Sequence, residues 1–159
     1  MGTPYDVVYE AFLDKVKEDV EFFEYKGVTV KESQELILKQ CHKYLREACV
    51  RIAHSLIEYD RDMLSRDEAT KTFNIELNDI EVDIIASVMY EKHLEKGLAE
   101  FKAINTFLFD SDVSILNPTS ERNSYQKFVN SIIDRNSATI SDLQSVSNGK
   151  MKLPNYDER

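Results

Sequence analysis

From Val30 to Glu58 nothing in the chain interrupts a helix, and that run constrains everything around it. Leu38, Cys41, Leu45, Ala48, Cys49, Ile52 and Leu56 recur at the spacing that lines one face of an α-helix. Thr29-Val30-Lys31-Glu32 opens the run as a capping box: the threonine hydroxyl accepts an orphan N–H and the glutamate reaches back to the cap. A helix with a single apolar stripe has to bury it against another element.

Three more helices are available as partners. Thr3 is expected to cap a first helix, with Pro4 at its first position, running to about Val16 on Val8, Phe12 and Val16. Phe22, Phe23 and Tyr25 then form an aromatic knot before Gly27, expected to plug a helix–helix corner. A second capping box, Asn78-Asp79-Ile80-Glu81, starts another helix on Ile80, Ile84, Ile85, Val88 and Met89. Beyond Glu91 its apolar set drifts to Leu94, Leu98 and Phe101, which predicts a second packing surface, with Gly97 permitting a bend or a close contact. Asn117-Pro118 opens the last helix, with Tyr125, Phe128, Val129, Ile132 and Ile133 as its stripe. That stripe weakens at Asn136 to Thr139 and resumes at Ile140 and Leu143, so a break there is one of two outcomes.

Between the second and third helices, Tyr59 to Thr72 is highly charged and reads as an exposed loop. Phe73 to Leu77 alternates apolar and polar residues, as a short extended segment does. A lone strand needs a partner, and another subunit could supply one. The expected fold is therefore all-α: a small bundle of about four helices with a charged loop, a short extended segment and a mobile C-terminal tail. Residues 1–149 read as one helical domain and 150–159 as the tail.

Composition narrows the class further. Four glycines and three prolines are too few for the turns of an all-β protein. With a net charge of −9, the chain is a poor binder of phosphate backbones, and no sequence-specific nucleic-acid binding is expected. Cys41 and Cys49 lie in one predicted helix about 12 Å apart, too far for a disulfide, and read as small buried hydrophobes. The start of the chain lacks the pattern of a signal peptide, and the apolar run Ile84 to Tyr90 is too short to span a membrane, so a soluble protein is expected.

The search for chemistry is negative. There is no phosphate-binding glycine loop and no nucleophile elbow. None of His42, His54 and His93 follows an acid at i−3, so the ligand repeat of di-iron bundles is missing. His54 with Glu58 is a single pair and reads as a solvated surface, as does Glu91 with Glu95. Lys39, Lys43, Arg46 and Arg51 alternate with Glu47 and Glu58 and also read as solvated. No catalytic, metal or cofactor-binding residue is assigned, and the chain is not expected to be an enzyme.

Two separated motifs go beyond composition. Thr3, Pro4, Tyr5, Val8, Tyr9, Phe12 and Leu13 form the first, and Phe73, Asn74, Leu77, Asp79, Glu81, Ile84, Ile85 and Ala86 the second. In this order, with a long helix and a charged loop between them, they resemble head–tail connector (neck adaptor) proteins of tailed bacteriophages and prophages of Gram-positive bacteria. The resemblance covers roughly the first 100 residues. It implies a structural virion protein, made in the bacterial cytoplasm, that assembles as a ring joining the portal of the DNA-filled head to the tail. By family analogy the ring has twelve copies, and its partners are itself, the portal protein and a downstream neck or tail protein. The alternative is a small acidic helical regulator that binds a host or phage protein.

The expected intermolecular contacts are Met151, Leu153 and Tyr156 in the tail, with Phe73 and Ile75 in the extended segment. The tail has apolar anchors but no periodicity with which to pack on its own domain. Deleting residues 150–159 should leave the melting temperature of the isolated subunit unchanged while lowering its incorporation into phage neck complexes. Infectious particles completed at normal yield by the truncated chain would show that the tail makes no required contact.

Overall fold

The N-terminal residues join the molecule by edge pairing. Thr3 donates its N–H to Ile75 O (3.1 Å) and accepts from Phe73 N–H (2.8 Å), and Pro4 bridges Thr72. In the computed structural model, which describes residues 2–56, 59–109 and 118–147, that segment leads into α1 (Tyr5–Val16). A short helical turn, α2 (Val20–Phe23), follows, then α3 (Val30–Ser55). The hairpin β1 (Arg66–Asp67) and β2 (Thr72–Phe73) pairs Arg66 with Phe73 and Asp67 with Thr72. Two long helices complete the fold, α4 (Asp79–Phe109) and α5 (Pro118–Ser147). The all-α bundle expected from periodicity is the observed architecture, with the small hairpin as its one sheet among the described residues.

Both capping boxes form. Glu32 N–H donates to Thr29 Oγ1 and Thr29 N–H to Glu32 Oε2, while Glu81 N–H donates to Asn78 Oδ1 and Asn78 N–H to Glu81 Oε2. Thr3 departs from its expected role. Pro4, not Thr3, is the cap residue of α1, and the Thr3 hydroxyl instead accepts the N–H of Leu77 at 2.8 Å. Thr3 therefore ties the start of α1 to the residue just before the cap of α4. Gly2 is needed at this junction, because a Cβ there would fall 1.8 Å from Phe73 O.

The extended segment finds its partner within the chain. Its neighbours are β1 and the Thr3–Pro4 segment, so no second subunit is needed to pair it. Phe73, expected as an intermolecular contact, is fully buried, with its ring 5.3 Å from that of Tyr5. Ile75 is half-buried against the same core. The charged loop also contributes inward: Met63 is buried.

α4 is the axis on which α1, α3 and α5 all pack. One core joins Val8, Phe12, Leu45, Ile52, Ile85 and Met89. The drift along α4 has the expected consequence, since Leu94 and Leu98 form a second cluster with Val129 and Ile132 of α5. Gly97 is the close contact of that region: a Cβ there would lie 2.9 Å from Tyr125 Oη. The aromatic knot plugs the corner as expected, with Phe22 edge-on to Phe12 and His93. Leu38, Ile80 and Phe128 depart from the stripes assigned to them and are about half exposed, at 51%, 54% and 44%. α5 does not break at Asn136, which is buried rather than solvated.

Replacing Thr3 by valine keeps its volume but leaves the Leu77 N–H without an acceptor. Thr3→Val should cost about 1–3 kcal/mol in denaturant unfolding, the penalty for an orphaned buried donor. Unchanged stability would mean that the Leu77 amide is otherwise satisfied.

Candidate functional site

Three polar clusters punctuate the bundle, and each is built between elements far apart in sequence. Glu81 is fully buried at the first turn of α4. Its carboxylate accepts from Tyr59 Oη at 2.9 Å, from the Arg61 guanidinium at 2.9 Å and from Asn78 N–H. The cap is thus also the anchor of the charged loop.

Glu91 forms the second cluster, ten residues further along α4. Read from sequence as part of a solvated pair with Glu95, it is instead 1% exposed. Arg51 of α3 approaches its Oε1 at 3.3 Å, Lys92 lies at 3.4 Å, and Asn136 Nδ2 of α5 donates to its Oε2 at 3.0 Å. The same Asn136 amide donates to Ser87 O, and Arg51 Nη2 donates to Ser137 Oγ. The polar interruption in α5 is therefore the point at which α3, α4 and α5 meet.

The third cluster fastens the hairpin to the helices. His42 lies 3.2 Å from Tyr9 Oη through Nδ1 and 3.2 Å from Glu68 Oε2 through Nε2. A neutral ring with its proton on Nε2 satisfies both, accepting from tyrosine and donating to carboxylate. Burial, reinforced by the Lys71 ammonium, holds the His42 pKa below its ordinary 6.5, and Glu68 only partly opposes this. Burial works to raise the Glu68 carboxyl, but hydrogen bonds from Arg66 and Lys71 outweigh it and leave it below the usual range.

Beside that cluster, a cavity of about 1020 Å³ runs along the outward face of α3. Lys39, Lys43 and Arg46 line it from α3, with Arg66 from the hairpin and Lys92 from α4. Glu47 is the one carboxylate among its described lining residues, and Val50 and Leu36 add apolar surface. Read singly along the chain, these cations looked dispersed. On the folded molecule they converge into a basic groove on an acidic protein. The stripe of Lys39, Lys43, Arg46 and Val50 at helical spacing was available as a signal, but Arg66 and Lys92 join it only through the fold.

No group of histidine, cysteine and acidic side chains among the described residues could hold a metal ion. His54 is exposed, and Glu58 lies outside the described residues, as do Met151, Leu153 and Tyr156. Burial pushes the Cys41 thiol up to about 12 and Cys49 to about 11, which suits the core role read for them. No described helix is long and apolar enough to cross a membrane. Comparison with protein families, with characterised proteins and with solved structures finds no match.

The lowered His42 pKa sets a pH dependence. A ring whose folded pKa lies below 6.5 contributes stability that is complete above pH 6.5 and is lost as pH falls through the folded value. An NMR titration should place the His42 midpoint below 6.5, and His42→Gln should remove that part of the acid destabilisation. A midpoint above 6.5 would mean that the Glu68 carboxylate governs the ring.

Proposed function

We propose that this chain is a subunit of the head–tail connector, or neck adaptor, of a tailed bacteriophage or prophage. In that role it forms a ring between the portal of the head and the tail, with copies of itself, the portal protein and a downstream neck or tail protein as partners. Twelve copies is the number that family analogy supplies. The observation that carries the reading is the meeting of the two motifs behind the resemblance. Thr3 of the first motif bonds Phe73 and Leu77 of the second, and Tyr5 packs edge-on to Phe73. Two patterns that are remote in sequence are thus one folded junction, which supports treating their joint occurrence as one signature rather than two coincidences.

The electrostatics are compatible. A ring around a DNA channel works best with walls that repel phosphate, and the net charge of −9 provides an acidic surface. A regulator that mimics DNA would require a long acidic face free of cations, and the basic groove on α3 weighs against that alternative.

The experiment is co-expression with the portal protein encoded in the same gene cluster, read by native mass spectrometry and electron cryo-microscopy. The expected result is a ring of this chain seated on the portal. Recovery of the chain and the portal as separate species at micromolar concentration would contradict the reading.

A further inference from the structure

The basic groove has a counterpart on the same molecule. Asp6, Glu10 and Asp14 are exposed at i, i+4 and i+8 of α1, with Val7 beside them 43% exposed. None of the three pairs with another described residue. On α3, Lys39 and Arg46 likewise meet no described carboxylate, and Lys43 has only Glu47 at 3.9 Å. Val50, 56% exposed, lies one turn beyond Arg46. The acidic stripe extends about 12 Å along its helix and the three cations about 10 Å along theirs, so the two rows match in length. Among the described residues no ion pair joins the two rows.

We propose that the α3 groove of one copy receives the α1 face of the next in antiparallel register, with Asp14, Glu10 and Asp6 set against Lys39, Lys43 and Arg46 respectively, and Val7 towards Val50. Copies of a chain with net charge −9 repel one another in random orientations, so a stable contact has to bring opposite charges together. The groove is a cationic surface that can do so. Because the two faces differ, the contact is head-to-tail, which generates a ring when the rotation closes and a filament when it does not. Closure rests on the connector reading, and the pairwise contact does not.

Two triple variants test it in the full-length chain: D6K/E10K/D14K and K39E/K43E/R46E. All six positions are exposed, so folding should be retained, and circular dichroism checks it. Sedimentation velocity at about 0.02 M salt should show the wild type as oligomers that dissociate at about 0.5 M, where screening is strong. Each variant alone should associate on the order of tenfold more weakly or worse, since attraction becomes repulsion. An equimolar mixture of the two should associate again, because the basic α1 of one fits the acidic α3 of the other. Recovery on mixing is not expected from a general effect of net charge or stability.

Oligomers of wild-type size from each variant alone would overturn the proposal, while the connector reading, carried by the portal experiment, would stand on other faces. A wild type that stays monomeric at low salt, or a mixture that does not associate, would also overturn it. Retention of a short DNA duplex by the wild type, lost in K39E/K43E/R46E without any self-association, would assign the groove to nucleic acid instead.

Discussion

The hydroxyl of Thr3 accepts the amide of Leu77 in a buried site, and the remaining arrangement builds outward from that bond. It fixes the entry of α1 against the residues that precede the α4 cap. Asn78 and Glu81 then start α4 at a defined position, and Glu81 draws in Tyr59 and Arg61 from the loop. Once α4 is placed, its apolar faces receive α1, α3 and α5. A local cap, an edge pairing and a long-range hydrogen bond therefore act on one short stretch of chain.

The two buried glutamates of α4 select among possible packings. Taking a carboxylate out of water costs several kcal/mol, and a buried ion pair often gains little over apolar packing of the same volume. Removing one partner, however, costs about 3–5 kcal/mol, because a lone charge is left behind. Glu91 meets Arg51 of α3 and Asn136 of α5 together, so sliding either helix by one turn would take away one of these partners and leave it with the other and Lys92 of its own helix. Aliphatic contacts such as Leu98 with Val129 and Ile132 tolerate such a shift better. The polar sites thus specify register, while the apolar stripes supply most of the burial.

What could be read in the chain beforehand followed the range of the interactions. Both capping boxes span four consecutive residues, and both were legible. The stripe Cys41, Leu45, Ala48 and Ile52 was legible because periodicity is local too. Thr3 was misread because its partner lies 74 positions away, and a threonine before a proline is an ordinary helix start. Ile80 was assigned inward, but the neighbouring Glu81 takes that position because the cap, Tyr59 and Arg61 satisfy its charge. Asn136 looked like an interruption of α5, since nothing nearby reveals a carboxylate on another helix. The basic groove was half visible, as a stripe on α3, and its other walls exist only in the folded chain.

The proposed head-to-tail contact needs two unlike faces, and α1 and α3 provide a pair of opposite sign. Carbodiimide cross-linking measures that contact most directly, because it joins a carboxylate to an amine only at ion-pair distance. Equal amounts of isotopically light and heavy protein, mixed at low salt, distinguish links between copies from links within one. The account predicts mixed-isotope products joining Glu10 or Asp14 to Lys39 or Lys43. Cross-links found only within single chains, or between copies at other faces alone, would contradict it.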